Sequence, residues 1–180
     1  MLSDLQSQSL AQIFDADGVL VSEADRTHYG QDWSRFIAPD PSAIVFPKEV
    51  SQLKALVAFA RAEQIGLVPS GGRTGLSGGA TAARGEVVVS FERMNRVLDF
   101  DEASRLVLVE PGVITQQLQQ FSMDQGHYYP VDFASSGSSH IGGNIATNAG
   151  GIKVLRYGLT REWVAGLEVV TGNGDHLSLN

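Results

Sequence analysis

The segment Pro69-Ser70-Gly71-Gly72-Arg73-Thr74-Gly75-Leu76-Ser77-Gly78-Gly79-Ala80 constrains this chain more than any other. Five glycines fall within nine residues, directly after Leu67-Val68-Pro69, which reads as a strand. Glycine inside a regular element costs roughly 0.5–1 kcal/mol, so such a cluster marks backbone in a special geometry. Bare backbone after a strand exposes a row of N–H groups. That is a nest for anionic oxygens, with the Ser70, Thr74 and Ser77 hydroxyls as further donors. The competing reading is a flexible surface loop, where glycine also collects. The spacing is not G-x-x-x-x-G-K-S/T, and no lysine is near. Nor is it G-x-G-x-x-G opening a helix. A nucleotide triphosphatase and a Rossmann dinucleotide site are both disfavoured.

The sequence before the loop supports a crossover unit. Ala43-Ile44-Val45-Phe46 is a short apolar strand ended by Pro47. Val50, Leu53, Val57 and Ala60 then recur at helical spacing, with Glu49 in the first turn and Gly66 as a stop. Strand, helix and strand within about 25 residues predict a right-handed crossover with parallel strands. Further strands are predicted at Glu86–Phe91 and Leu106–Glu110. An amphipathic helix follows, with Thr115 as N-cap, Leu118 and Phe121 on one face, and Gly126 at its end. Val164–Thr171 and His176–Leu179 flank Asn173-Gly174, the strongest short-range hairpin signal. Leu5, Leu10 and Ile13 could share a face of an opening helix that Asp15-Ala16-Asp17-Gly18 breaks. The fold class is α+β with a mixed sheet. Residues 1–42 are expected as a helical lead-in and residues 43–180 as the domain. The last residue falls within one of a predicted strand, so a truncated piece or a split subunit is expected.

Composition removes several function classes. The net charge is −7 and the 13 basic residues are scattered, which argues against nucleic acid as a partner. With no cysteine there is no disulfide, no thiolate metal site and no cysteine nucleophile. His28, His127, His140 and His176 lack metal-ligand spacing, so no metal is expected. No basic residue precedes Arg26, and no run approaches the roughly 18 apolar residues of a membrane span. A cytoplasmic protein is expected, with peripheral attachment to the inner face of the membrane left open.

A second constellation lies at Ile141-Gly142-Gly143-Asn144-Ile145-Ala146-Thr147-Asn148-Ala149-Gly150-Gly151. Its small residues let a ligand, or a neighbouring element, lie against the backbone. Asn144, Thr147 and Asn148 could share one face if the segment is helical. With the first loop about 60 residues upstream, the two segments suggest a ligand with extended phosphates and a flat ring.

In order along the chain, several pieces resemble the flavin-binding fold of vanillyl-alcohol oxidase, p-cresol methylhydroxylase and their relatives. The pieces are Ser70–Gly79, Phe91–Val97, Val109–Val113, Ile141–Gly151 with Leu155–Gly158, and Gly166–Val170. The 2-hydroxy-acid branch is the nearest, namely glycolate oxidase flavin subunits, D-lactate dehydrogenases and above all D-2-hydroxyglutarate dehydrogenase. The resemblance spans about Ala43 to Leu179. It implies two α+β subdomains with FAD between them, the first about 43–110 and the second from about 111, incomplete at its C-terminus.

The same resemblance assigns residues. Pro69 through Gly78 (Ser70, Gly71, Gly72, Arg73, Thr74, Gly75, Leu76 and Ser77 among them) would hold the pyrophosphate. Gly142, Gly143, Asn144, Thr147 and Gly150 would lie along the ribityl–phosphate part, and Asp132 and Ser135 near the flavin. Many relatives attach FAD through a histidine just after the first two glycines. Arg73 stands there, so FAD is expected to be non-covalent, with Arg73 either on a phosphate oxygen or in solvent. His140 either serves the flavin or packs. Lys153 and Arg156 either place positive charge at the flavin's N1–C2 edge or sit on the rim. Glu92, Arg93 and Arg96 are expected as a surface charge cluster, and Trp33 and Trp163 as core.

The implied activity is oxidation of a small D-2-hydroxy acid such as lactate, glycolate or 2-hydroxyglutarate, by hydride transfer to flavin N5, with a separate electron acceptor. The groups that bind the substrate belong to a cap domain absent from these residues, so no catalytic residue is assigned and the chain alone is expected to be inactive. The alternatives are a flavin-carrying subunit active only with a partner chain, a homo-oligomer, or a structural domain whose loops bind nothing.

Overall fold

The computed structural model describes residues 2–15 and 17–179. Its organising element is β4 (Val87–Ser90), buried along its whole length. A continuous valine run suits a strand covered on both faces. β2 (Ala43–Val45) and β3 (Leu67–Ser70) pair with it in parallel on opposite sides. β1 (Val19–Leu20) adds antiparallel to β2, giving the order β1-β2-β4-β3. The predicted β2–α3–β3 crossover is present, with α3 at Val50–Ala62, but it steps over the position that β4 later fills.

One face of this sheet presents Ala43, Val45, Val87 and Val89 to Leu56 of α3 and to Leu10 and Phe14 at the end of α1 (Asp4–Ile13). The opposite face presents Ile44, Val88 and Phe46 to Ala82 and Tyr29. The N-terminal segment, expected as a lead-in that turns irregular, therefore supplies a strand and part of the core. It also supplies α2 (Glu23–Tyr29), a second helix after the break at Asp15–Gly18. Leu5 is 76% exposed, so the buried side of α1 centres on Leu10.

The second unit begins with a hairpin, β5 (Val97–Asp101) and β6 (Leu106–Val109). β5 was not predicted: a register shift between Val97 and Asp99 breaks the period-2 alternation that marks a strand. Val107 and Val109 pack on Val113, on Leu118 of α4 (Thr115–Asp124) and on Ile141 of α5 (Ile141–Thr147). Thr115 is not the N-cap of α4; that position is Ile114, and the Thr115 hydroxyl turns inward. A short α6 (Val154–Tyr157) follows. β7 (Leu167–Val170) and β8 (His176–Leu179) then form the expected hairpin, with β7 shorter at both ends than expected and five residues in the connection. Trp33 and Trp163, expected as core, are 63% and 44% exposed. The Trp163 indole N–H instead donates to the Tyr157 carbonyl at 2.9 Å.

Candidate functional site

The glycine loop leaves the carboxyl end of β3, the edge of a parallel sheet where ligands characteristically bind. Ser70 closes the strand opposite Ser90 of β4. Both hydroxyls are buried without a partner. Beyond Ser70 most of the loop's amides are left without partners. Among the described residues, the N–H groups of Gly72 through Ser77 donate to no acceptor. Gly78 is different: its N–H donates to Asp32 Oδ2 at 2.7 Å, so that amide is not free. Leu76 is 68% exposed. A Cβ on Gly79 would meet nothing within 4 Å.

The loop is also where the two units meet. A Cβ on Gly72 would stand 1.9 Å from the Ser138 carbonyl oxygen, and one on Gly71 would lie 3.2 Å from His140 Cβ. The segment Ser138–His140 is itself fixed. Ser135 O accepts from the Ser138 and Ser139 amides at 2.9 and 2.8 Å, and Thr115 N–H donates to Ser139 O at 2.9 Å. The first glycine segment and the entry to the second are thus brought together, as a ligand spanning both requires.

The second segment divides its labour differently from the expectation. Asn144, Thr147 and Asn148 do not present a common face. Asn144 is buried and donates through Nδ2 to Thr115 Oγ1 at 2.6 Å. Thr147 donates back to Gly143 O at 2.9 Å. Asn148 takes the left-handed φ of 50° beyond the helix and accepts from Arg161 N–H at 3.0 Å. What remains open is backbone: a Cβ on Gly143 would meet nothing within 4 Å, and its N–H has no acceptor among the described residues. The other glycines answer to packing. A Cβ on Gly142 would lie 2.7 Å from Pro111 Cβ, on Gly150 2.3 Å from Leu159 Cδ2, and on Gly151 2.0 Å from Asp132 O.

Charged residues take partners that the sequence did not indicate. Arg73, at φ 57°, is turned to other residues of the chain rather than to solvent. Its Nη1 donates to Glu92 Oε1 at 2.9 Å and its guanidinium lies 4.6 Å from the Tyr29 ring centre. Tyr29 completes the group by donating to Glu92 Oε2 at 3.2 Å. Burial, and then the Glu92 charge, hold that phenol above its ordinary pKa. The expected cluster of Glu92, Arg93 and Arg96 does not form: Arg93 pairs with Asp17 at 3.0 Å and Arg96 with Glu110 at 2.8 Å. Lys153 bonds Asp132 at 2.9 Å and the Tyr128 hydroxyl at 2.7 Å. Its pKa is raised first by the Tyr128 hydrogen bond and then by that of Asp132. An open cleft of about 360 Å³ lies beside it, lined by Ile152, Leu155, Arg156 and Tyr157. His140 is 7% exposed and its Nδ1 has no partner. Burial keeps the ring below its usual pKa, that is, neutral.

Sequence reasoning missed Asp32 and Tyr29. An Asp two residues before Ser34 is an Asx-turn signal that could have flagged the first, since Asp32 Oδ1 accepts from Ser34 N–H at 2.9 Å. Nothing local marks the second. Among the described residues no group of His, Asp and Glu is placed to hold a metal, and no helix is long and apolar enough to cross a membrane.

A family model described as the FAD binding domain matches residues 41–180. The chain belongs to that family. FAD is accordingly the cofactor of this domain, and the free amides of Gly72–Ser77 and Gly143 fit a ligand rich in phosphate oxygens. The chain is 62% identical over 164 residues to D-2-hydroxyglutarate dehydrogenase of Stutzerimonas stutzeri, covering 91% of this chain and 35% of that protein. It is 34% identical over 175 residues to glycolate oxidase subunit GlcD of Bacillus subtilis, covering 97% of this chain and 37% of the relative. The FAD-binding domain thus spans about a third of the length of the curated relatives it matches. Solved structures agree on the fold. An alkyldihydroxyacetonephosphate synthase superposes with a TM-score of 0.90 at 22% identity, over 99% of this chain and 34% of that one. Substrate-bound p-cresol methylhydroxylase superposes with 0.79 at 24%, over 97% and 35%. The resemblance to the vanillyl-alcohol oxidase and p-cresol methylhydroxylase fold, and its 2-hydroxy-acid branch, is borne out.

Proposed function

We propose that this FAD-binding domain serves a dehydrogenase of small D-2-hydroxy acids and holds FAD non-covalently. The observation that carries the reading is the run of unpaired amides from Gly72 to Ser77, set against Ser138–His140 where the two units meet. In this reading those amides take the pyrophosphate oxygens and the open backbone at Gly143 takes the ribityl–phosphate stretch. Ser135 and the Asp132–Lys153 pair border the flavin. Arg73 supports non-covalent binding, because a guanidinium cannot form the bond that a histidine makes at this place in many relatives. Its engagement with Glu92 gives it a holding role instead. Held there, FAD would supply the two-electron acceptor, with N5 as the position that would receive hydride from the substrate carbon. The chain's own share is to bind, orient and surround the cofactor. The relatives' names support a 2-hydroxyglutarate-like substrate, and the cysteine-free sequence suits a cytoplasmic location.

The test is a titration of the purified chain with FAD, with FMN, ADP and NAD as controls, read by thermal shift and flavin fluorescence. FAD is expected to stabilise the chain more than ADP or FMN, and acid precipitation should leave all flavin in the supernatant. No shift with any ligand, or flavin retained in the pellet, contradicts the reading. The similarity to GlcD supports a second possibility, a flavin-carrying subunit that turns over only with a partner chain. Dye-linked oxidation of D-2-hydroxyglutarate, D-lactate and glycolate, assayed with this chain and with the whole gene product, separates the two.

A further inference from the structure

Beyond Thr74 the glycine loop has almost no side-chain packing of its own. Cβ atoms on Gly78 and Gly79 would meet nothing within 4 Å, and Gly78 sits at φ +77°. A chain so free is held by hydrogen bonds or is not held, and its ordering must otherwise come out of the binding energy of whatever it grips. Apart from a local turn in which Thr81 N–H donates to Gly78 O at 3.1 Å, the bonds that hold its far half come from Asp32 and Trp33. Asp32 is 3% exposed. Its Oδ2 accepts from Gly78 N–H at 2.7 Å, while Oδ1 accepts from the Ser34 amide at 2.9 Å and from the Ser34 hydroxyl at 2.5 Å. The next residue in the chain, Trp33, donates its N–H to Gly75 O at 3.0 Å. No cation lies in ion-pair range of Asp32 among the described residues. A buried carboxylate is costly unless its oxygens are filled by donors. Here three donors fill them, and one is the loop itself.

We infer that Asp32 is a positioning residue for the pyrophosphate loop. By accepting from Gly78 it withdraws one amide from the ligand and fixes the curvature of Gly75–Gly78, so that the amides of Gly72–Ser77 stay without partners before FAD arrives. The inference rests on the proposed cofactor role of those amides. A carboxylate is needed because a neutral amide offers one acceptor atom. Asparagine at this position would set its NH₂ group against either the Ser34 or the Gly78 donor.

The test compares the wild-type chain with Asp32→Ala, Asp32→Asn and a control, Leu56→Ala. The control destabilises the core beneath β2 and β4, away from the loop. FAD affinity and dissociation rate are measured by flavin fluorescence at a temperature where every variant is folded. Exchange of the Gly75–Gly78 amides is followed in ligand-free protein. Asp32→Ala is expected to bind FAD roughly tenfold more weakly or worse, through faster dissociation, because ordering the loop becomes part of binding. Its loop amides should exchange faster, and Asp32→Asn should fall between it and wild type. Leu56→Ala should lose as much thermal stability or more while binding FAD as wild type does. Unchanged loop exchange in Asp32→Ala overturns the inference, and so does an FAD affinity no lower than that of Leu56→Ala. A wild-type chain that takes no FAD overturns the cofactor reading and this inference with it, and the wild-type titration alone identifies that outcome.

Discussion

At Gly72 the loop lies so close to Ser138 that a methyl group has no room, and the obstacle is a backbone carbonyl. Gly72→Ala must therefore push the two units apart, with an expected loss of about 1–3 kcal/mol in urea unfolding. Gly143→Ala is the informative contrast. Its Cβ meets nothing, and alanine favours a helix, so stability should hold or rise by up to about 1 kcal/mol while FAD binding weakens. His140 gives a pH signature. Burial, with the Arg73 charge in support and Glu92 opposing, sets its folded pKa below the ordinary 6.5. The unfolded chain then binds the extra proton first, so stability is full above about 6.5, declines as pH falls below it, and levels off under the folded pKa. Denaturation midpoints measured from pH 8 to 5 should show this slope in wild type and not in His140→Gln. The glycines were legible at this scale because their number is anomalous. The partners of Arg73 and Glu92 and the burial of His140 were not, since each joins residues far apart in the chain.

β5 and β6 are tied at their open end by Glu110, which is 6% exposed and accepts from the Arg96 amide at 2.8 Å and from its guanidinium at 3.2 and 2.8 Å. Burial is the strongest single influence on this carboxyl and pushes its pKa up, yet the Arg96 hydrogen bonds and charge together bring it below the ordinary 4.5. A depressed carboxylate stabilises at neutral pH and loses that contribution as pH falls through the folded pKa. Glu110→Gln should cost about 1.5–3 kcal/mol near pH 7, as for buried hydrogen bonds to a charged group, and less near pH 3, below the ordinary 4.5. Thermal unfolding at the two pH values checks both statements. Elements with a regular period, such as α3 and β4, could be read from sequence. β5 could not, because its bulge and two exposed aspartates hide the alternation, and α2 could not, because none of its residues is buried and it carries no apolar stripe.

Among the described residues the apolar core falls into three clusters, one on each face of the first sheet and one around α4 and α5, and protection should be uneven. β4 is covered on both faces and paired on both edges, so its amides should exchange slowest. β8 is exposed at all four positions and pairs on one side only, so its amides should exchange fastest among the strands. Native-state hydrogen exchange resolves the two, and equal protection would contradict the description. The sequence by itself determined the α+β class, the crossover into a glycine loop, the second small-residue segment and the FAD-binding character. The first three follow from local period and from glycine, whose backbone freedom is a property of the residue alone; the FAD-binding character follows from the resemblance that the motifs carry in their order. Only the tertiary structure decided that β4 lies between β2 and β3, that the N-terminal segment completes the first sheet, and that the loop bonds Asp32 through Gly78 and Glu92 through Arg73. Those outcomes depend on which buried donors and acceptors meet across the fold, and that is set by where every other element comes to rest.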